Sequence, residues 1–85
     1  MDDVIADLRA FLGQQLRVAN SESMENDYPL VKRGVLDSIE LMQVVEFVEK
    51  KYSVSIDDTE ILPENLGSLN AIAALVERKR LQRQR

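Results

Sequence analysis

Hydrophobic positions recur at helical spacing in three segments of the chain, and each segment predicts an amphipathic helix. The first covers about residues 3–17, and the last follows Gly67 and Ser68. The second begins at Asp37 and places its apolar residues on one face when successive side chains turn by about 100°. The three apolar stripes are Val4, Ile5, Leu8, Phe11, Leu12 and Leu16; Leu41, Val44, Val45, Val48 and Tyr52; and Leu69, Ile72, Ala73 and Val76.

The segments between these helices predict a long first loop and a short extra helix. Residues 18–27 are polar, whereas residues 28–36 supply apolar side chains that we expect to anchor the loop in the core. Pro63 fits the start of a short helix within residues 59–66. Residues 52–56 alternate like a strand but have no second strand to pair with. The chain is therefore predicted to be all-α, a small four-helix bundle of three main helices and a short third helix.

The residue types that the chain lacks narrow its chemistry. Its 85 residues include neither histidine nor cysteine, which removes the commonest general base, the commonest metal ligand and the thiolate nucleophile. A domain of this size buries only about two-thirds of the surface of its unfolded chain, which leaves little room for a deep catalytic cleft. The composition therefore predicts a protein that is not an enzyme and has no metal site.

Charge is distributed unevenly along the chain. Residues 77–85 carry a net charge of +4 and the other 76 residues −8, which gives −4 in total. An acidic body repels nucleic acid and attracts basic partner surfaces. We interpret residues 1–80 as one domain and residues 81–85 as a basic C-terminal tail, the frayed end of the last helix. The acidic first residues do not resemble a secretory signal, and no stretch approaches the roughly 18 apolar residues of a membrane span. We expect a cytoplasmic monomer.

Ser38 is the residue with the clearest chemical setting. Asp37 suits the N-cap of the second helix and Glu40 its third residue, which is the capping-box pattern. Ser38 then becomes the first residue of the helix, where backbone N–H groups lack intrahelical partners and the dipole end is positive. A phosphate ester on this hydroxyl would be stabilised there. The hydroxyl is not expected to be a catalytic nucleophile, because no histidine is present to activate it.

The face of the second helix that carries Ser38 points away from the core. Helical projection places two apolar side chains on this side beside carboxylates, which predicts a docking surface for a partner with an apolar notch and a basic rim. The partner-facing candidates are Ile39, Glu40, Met42, Gln43, Glu46 and Glu49. For Glu46 and Glu49, a solvated helix face is an equally good interpretation.

Residues 34–41, Gly-Val-Leu-Asp-Ser-Ile-Glu-Leu, resemble the attachment motif of the acyl and peptidyl carrier protein family. The resemblance extends over the order of helices and loops. It implies that Ser38 receives a 4′-phosphopantetheine arm from coenzyme A, and that Asp37 helps to position magnesium and coenzyme A during this transfer. The implied partners are a phosphopantetheinyl transferase, an AMP-forming acyl or aminoacyl ligase and downstream acyl-processing enzymes. The ligase is implied by residues 61–66, which resemble the third-helix region of freestanding carriers.

Three residues in or next to this motif distinguish the chain from most fatty-acid carriers. Ile39 follows the serine where leucine is usual, Gln43 replaces a frequent acid, and Leu36 precedes Asp37 as in D-alanyl and other freestanding carriers. These differences favour a specialised non-ribosomal peptide, polyketide or aminoacyl pathway, with fatty-acid synthesis as the alternative. A carrier-like helical adaptor without the arm is a further hypothesis, and a nucleic-acid-binding bundle is disfavoured by the acidic body.

Overall fold

Helices form the whole of the regular structure in the computed structural model, which describes residues 2–83. The four α-helices are α1, Asp2–Gln14; α2, Ser38–Tyr52; α3, Pro63–Leu66; and α4, Leu69–Arg83, with a single 3₁₀ turn at Asp58–Glu60. Residues 2–83 contain no strand, so the predicted all-α class is confirmed. Helix α4 includes residues 81–83 of the tail that was expected to fray, and residues 84 and 85 of that tail lie outside the described residues.

Helix α1 ends earlier than the hydrophobic pattern predicts, at Gln14 instead of about residue 17. Arg17 adopts a left-handed backbone conformation with φ of 56°, which turns the chain away from the helix axis. The N–H group of Val18 then donates to Leu12 O at 2.8 Å. Leu16 and Val18 still pack against the core from outside the helix, so their apolar character reflects burial and not helix length.

The core draws side chains from every helix and from the first loop, residues 15–37. Helix α4 packs against α1, α2 and α3, which makes it the central element of the bundle. The buried residues of α4 include the whole apolar stripe that the sequence predicts for the last helix. The largest fully buried side chains are Leu8, Leu12, Leu30, Leu36, Leu66, Leu69, Ile72 and Leu75. The prediction that apolar residues of the first loop anchor it in the core is therefore confirmed for Leu30 and Leu36.

Hydrogen bonds to α1 and α4 hold the polar part of the first loop. The Arg9 guanidinium donates to Ser21 O at 2.7 Å and also to Asn26 Oδ1. On the other side, Asn70 N at the start of α4 donates to Asn26 O at 2.9 Å. Ser21 packs so closely on Gly13 that a Cβ atom at Gly13 would lie 2.6 Å from Ser21 Oγ. The polar part of the first loop is thus held between α1 and α4.

A second set of polar contacts ties the 3₁₀ turn to α4. The Glu60 carboxylate accepts hydrogen bonds from Asp57 N at 2.9 Å and contacts Lys79 Nζ at 2.5 Å. The hydrogen bond from Lys79, and after it the one from the Asp57 backbone, lowers the pKa of Glu60 below its ordinary value. The contact between Glu60 and Lys79 holds the segment before α3 against α4.

Candidate functional site

Two buried leucines bring Ser38 to the surface at the start of α2. Leu30 is fully buried and receives hydrogen bonds at its carbonyl from Val35 N at 2.8 Å and Leu36 N at 3.1 Å. Within this turn, just before Val35, Gly34 adopts φ of 74°, a conformation that glycine tolerates because it has no Cβ. Leu36 is 2% exposed, and the two residues that follow it are exposed. The tight turn, held in the core by Leu30 and Leu36, therefore places Ser38 at the surface.

The predicted capping box at the start of α2 is confirmed. Glu40 N donates to Asp37 Oδ1 at 2.8 Å, and Asp37 N donates to Glu40 Oε1 at 3.1 Å. Asp37 has extended backbone angles, as an N-cap residue requires, and its carbonyl accepts the first helical bond from Leu41 N at 2.9 Å. Ser38 is consequently the first helical residue.

The start of α2 suits a phosphate group attached to the Ser38 hydroxyl. The capping box uses the N–H groups of Asp37 and Glu40, so those of Ser38 and Ile39 are the ones that can face a phosphate oxygen. The positive end of the dipole of this 15-residue helix lies at the same place.

The outward face of α2 carries the residues that the projection placed there. Ile39 is 73% exposed and Met42 43% exposed, and Gln43 and Glu46 are also exposed. Val44, Val45 and Val48 are buried on the opposite face. Ile39 and Met42 therefore form an exposed apolar pair beside charged and polar side chains.

Two of the predicted partner-facing acids are held by contacts within the chain. Glu40 is half-buried and belongs to the capping box. Glu49 is also half-buried, and its Oε2 accepts a hydrogen bond from Ile56 N at 2.8 Å. The segment after α2 folds back over Glu49, which the helical projection could not show. Glu49 therefore stabilises the chain that follows α2.

An open groove beside the start of α2 was not predicted from the sequence. We call it the loop groove; it has a volume of about 600 Å³. Its formation depends on how the first loop curves away from α1, for which the hydrophobic pattern gives no signal. The residues that define it are Leu16, Val18, Met24, Tyr28, Val35 and Glu40.

Comparison with known protein families decides what kind of protein carries this site. The family model described as the phosphopantetheine attachment site matches residues 6–76. The chain belongs to this family of phosphopantetheine-binding carrier proteins. It is also 27% identical over 67 residues to "Probable acyl carrier protein PigG" of Serratia sp. (strain ATCC 39006), a match that covers 79% of this chain and 77% of the relative.

Family membership determines the general role of the chain. The protein is a carrier and not a catalyst, and it bears covalently attached 4′-phosphopantetheine. Carriers of this family interact with phosphopantetheinyl transferases and with processing enzymes. The matched residues include the whole start of α2 and its outward face, and the geometry there fits the phosphate of the arm. Within residues 4–82, no group of three acidic side chains could hold a metal ion. None of the described helices is long and apolar enough to cross a membrane.

Proposed function

We propose that this carrier bears its phosphopantetheine arm on Ser38 and presents an acyl or aminoacyl thioester to partner enzymes. The observation that carries this proposal is the exposure of Ser38 at the first residue of α2, between the two residues that form a complete capping box. Two of the other serines lie in different surroundings. Ser21 is buried, and the Ser68 hydroxyl accepts a hydrogen bond from Ala71 N at 3.1 Å to cap α4.

The chemistry of the carrier is divided between the arm and the protein. The arm supplies a terminal thiol that holds the acyl group as a thioester. The protein holds the phosphate at the positive end of α2 and keeps that end in place through Asp37 and Glu40. The sequence contains no cysteine, so no protein thiol competes for the acyl group by exchange. Asp37 has an exposed carboxylate beside Ser38, which supports a role in positioning magnesium and coenzyme A during transfer of the arm.

Partner enzymes are proposed to recognise the outward face of α2. Ile39 and Met42 offer an apolar contact, and Glu40 and Glu46 add negative charge that complements a basic rim. Gln43 lies between them and supplies an uncharged polar contact. A small charged surface suits a carrier because each enzyme must release it again, and weak, reversible interfaces are small.

The pathway is proposed to be a specialised one, loaded by an AMP-forming acyl or aminoacyl ligase. Leu36, Ile39 and Gln43 support this assignment, because they differ from the residues usual in fatty-acid carriers. The name of the Serratia relative refers to an acyl carrier, which favours an acyl cargo and keeps fatty-acid synthesis as the second candidate. Loading assays with candidate ligases and with a fatty-acid synthase malonyl transferase distinguish these pathways. Efficient malonyl loading without ligase-dependent loading would contradict the specialised role.

The attachment site is tested by intact-mass measurement after incubation with coenzyme A and a broad-specificity phosphopantetheinyl transferase. The wild-type chain should gain the mass of one phosphopantetheine, and Ser38→Ala should gain none. Ser53→Ala is the matched control, because Ser53 is exposed just after the other end of α2, and it should be modified like the wild type. Full modification of a folded Ser38→Ala variant would overturn the assignment.

A further inference from the structure

The C-terminal end of α4 presents an apolar side chain beside cations. Leu81 is 61% exposed, and Arg78, about one turn before it, is exposed as well. At about 100° per residue, both lie on the side of α4 opposite the buried Ile72 and Val76. Residues 77–85 carry a net charge of +4. We call this surface the basic end of α4, defined by the exposed Arg78, Leu81 and Gln82.

Contacts within the chain account for only part of the positive charge at the basic end. Lys79 pairs with Glu60, and Arg80 pairs with Glu77 at 3.1 Å. Arg78, by contrast, makes no ion pair with any side chain in the described part of the chain. Its guanidinium is therefore available to an anion on another surface, and a guanidinium binds a carboxylate well because its planar N–H groups match the two oxygens.

The outward face of α2 has the complementary chemistry. Ile39 and Met42 form its exposed apolar pair, and Glu46 follows Met42 by one turn as an exposed acid. Among the described side chains, none forms an ion pair with Glu46. The basic end offers an apolar side chain beside a cation, whereas this face offers apolar side chains beside an anion, so the two surfaces match in both apolar contact and charge.

The two surfaces of one molecule cannot meet. The guanidinium of Arg80 lies 5.5 Å from the ring centroid of Tyr52, so the last turns of α4 lie beside the last residue of α2. Met42 is ten residues before Tyr52, which places it about 15 Å away along the helix axis. Both helices pack into the same core, so neither can bend across this distance. A contact between the two surfaces therefore needs a second copy of the chain.

A local acidic patch suits the basic end better than an extended polyanion does. The other 76 residues carry a net charge of −8, and a membrane or a nucleic acid would face much of that charge as well. Screening limits exposed charges to a range of about 8 Å at physiological ionic strength. A small patch such as the outward face of α2 can therefore attract the basic end without facing the whole acidic body.

We propose that the basic end of one copy docks head to tail on the outward face of α2 of a second copy. Leu81 packs on Ile39 and Met42, and Arg78 pairs with Glu46. The area is small, so the contact is weak and dilute carrier remains monomeric. At high concentration, free copies of the carrier compete with partner enzymes for this face. Only this competition rests on the proposed function, because the contact itself does not need the arm and is tested on the apo protein.

The first test measures paramagnetic broadening of amide signals between copies, at about 1 mM apo protein, which populates contacts with a Kd up to about 1 mM. The chain has no cysteine, so Ser55→Cys carries a nitroxide label on a single thiol. Ser55 lines the same shallow pocket as Gln82, which places the label beside the basic end. In a mixture with ¹⁵N-labelled wild type, it should broaden Ile39, Met42 and Glu46. No broadening there, or equal broadening of all exposed residues, would overturn the proposal.

A label in the first loop tests the direction of the contact. Ser23 is exposed and lines the loop groove together with Glu40, close to the start of α2. Labelled Ser23→Cys should therefore broaden Arg78, Leu81 and Gln82 of the second copy and leave its α2 face unchanged. Broadening of the α2 face by both labels would contradict the head-to-tail arrangement.

The second test exchanges the charges. Adding Arg78→Glu to the labelled Ser55→Cys chain should weaken broadening of the wild-type α2 face about fivefold, because attraction to Glu46 becomes repulsion. Labelled Ser55→Cys should likewise broaden ¹⁵N-labelled Glu46→Arg less. Combining the two variants should restore the broadening, since opposite charges then face each other again. Lys32→Glu in the labelled chain is the matched control, because Lys32 is an exposed cation of the first loop, and it should change nothing.

Two results of the exchange would overturn the proposal: no restoration between folded variants, or an equal loss with Lys32→Glu. Binding of the apo protein to phosphatidylglycerol vesicles, without broadening between copies, would assign the basic end to membranes and also overturn it. Failure of phosphopantetheine attachment would contradict the proposed function and leave all these measurements unchanged, so the two proposals fail separately.

Discussion

The double role of Asp37, as helix cap and as a charged neighbour of Ser38, can be separated by substitution. Asp37→Ala removes the acceptor of the 2.8 Å bond from Glu40 N and also the negative charge at the positive end of α2. Loss of such a cap costs about 1 kcal/mol, and loss of the charge about 0.5 kcal/mol. Asp37→Asn keeps an equivalent acceptor and loses only the charge. We therefore expect a free energy of unfolding lower by about 1.5 kcal/mol for alanine and about 0.5 kcal/mol for asparagine.

Thermal unfolding followed by far-UV circular dichroism measures this difference. For a domain of this size, the values correspond to Tm decreases of about 6–12 °C and about 2–4 °C. Glu46→Ala is the matched control, because Glu46 is an exposed acid on the same helix and its loss should change stability by less than about 0.5 kcal/mol. Equal destabilisation by the two Asp37 substitutions would refute the capping argument. Slower attachment of the arm to the stable Asp37→Asn variant would show that the charge acts in the transfer.

Three further predictions concern the supports of the site. Leu36→Ala should lower the free energy of unfolding by about 2–5 kcal/mol in urea titrations because it leaves a cavity beneath the start of α2; a loss no greater than in Leu62→Ala, at a 41% exposed leucine, would contradict this. Gly13→Ala should leave the Tm nearly unchanged or raise it, because the nearest atom to a Cβ at Gly13, Ser21 Oγ, ends a side chain that can rotate, and alanine is favoured over glycine inside α1 by about 0.5–1 kcal/mol; a fall in Tm that Ser21→Gly in the same chain restores would contradict this. The pKa of Glu60 is lowered in the folded state, so the contribution of its ionised carboxylate to the free energy of unfolding should be complete above the ordinary pKa of 4.5. This contribution should disappear as the pH falls through the lowered pKa. Glu60→Gln should remove this part of the pH dependence, and an unchanged acid profile would contradict it.

The parts of the fold that could be predicted from the sequence are those governed by local signals. Residues 37–40 have the capping-box pattern, which fixes where α2 begins. The apolar residues Val44, Val45 and Val48 define the buried face of α2, and helix geometry then places Ile39 on the exposed face. Loop anchoring by Leu30 and Leu36 was also predictable, because apolar residues in a long loop of a small domain need burial.

The remaining features depend on contacts between residues distant in sequence. The loop groove requires left-handed backbone at Arg17, which has no intrinsic preference for it, and that conformation is held by hydrogen bonds from Arg9 to loop carbonyls. Side-chain projection placed Glu49 on the exposed face, but its partner Ile56 N lies seven residues later in an irregular segment. Neither contact leaves a periodic pattern in the sequence. The path of the first loop was therefore the least predictable part of the structure.

The central claim, that Ser38 bears the arm, is tested most directly by fragmentation mass spectrometry of the wild-type protein after modification. The account predicts that every modified peptide contains Ser38 and that fragmentation releases the phosphopantetheine from that residue. Phosphopantetheine located on a peptide without Ser38, such as one that contains Ser53 and Ser55, would contradict it.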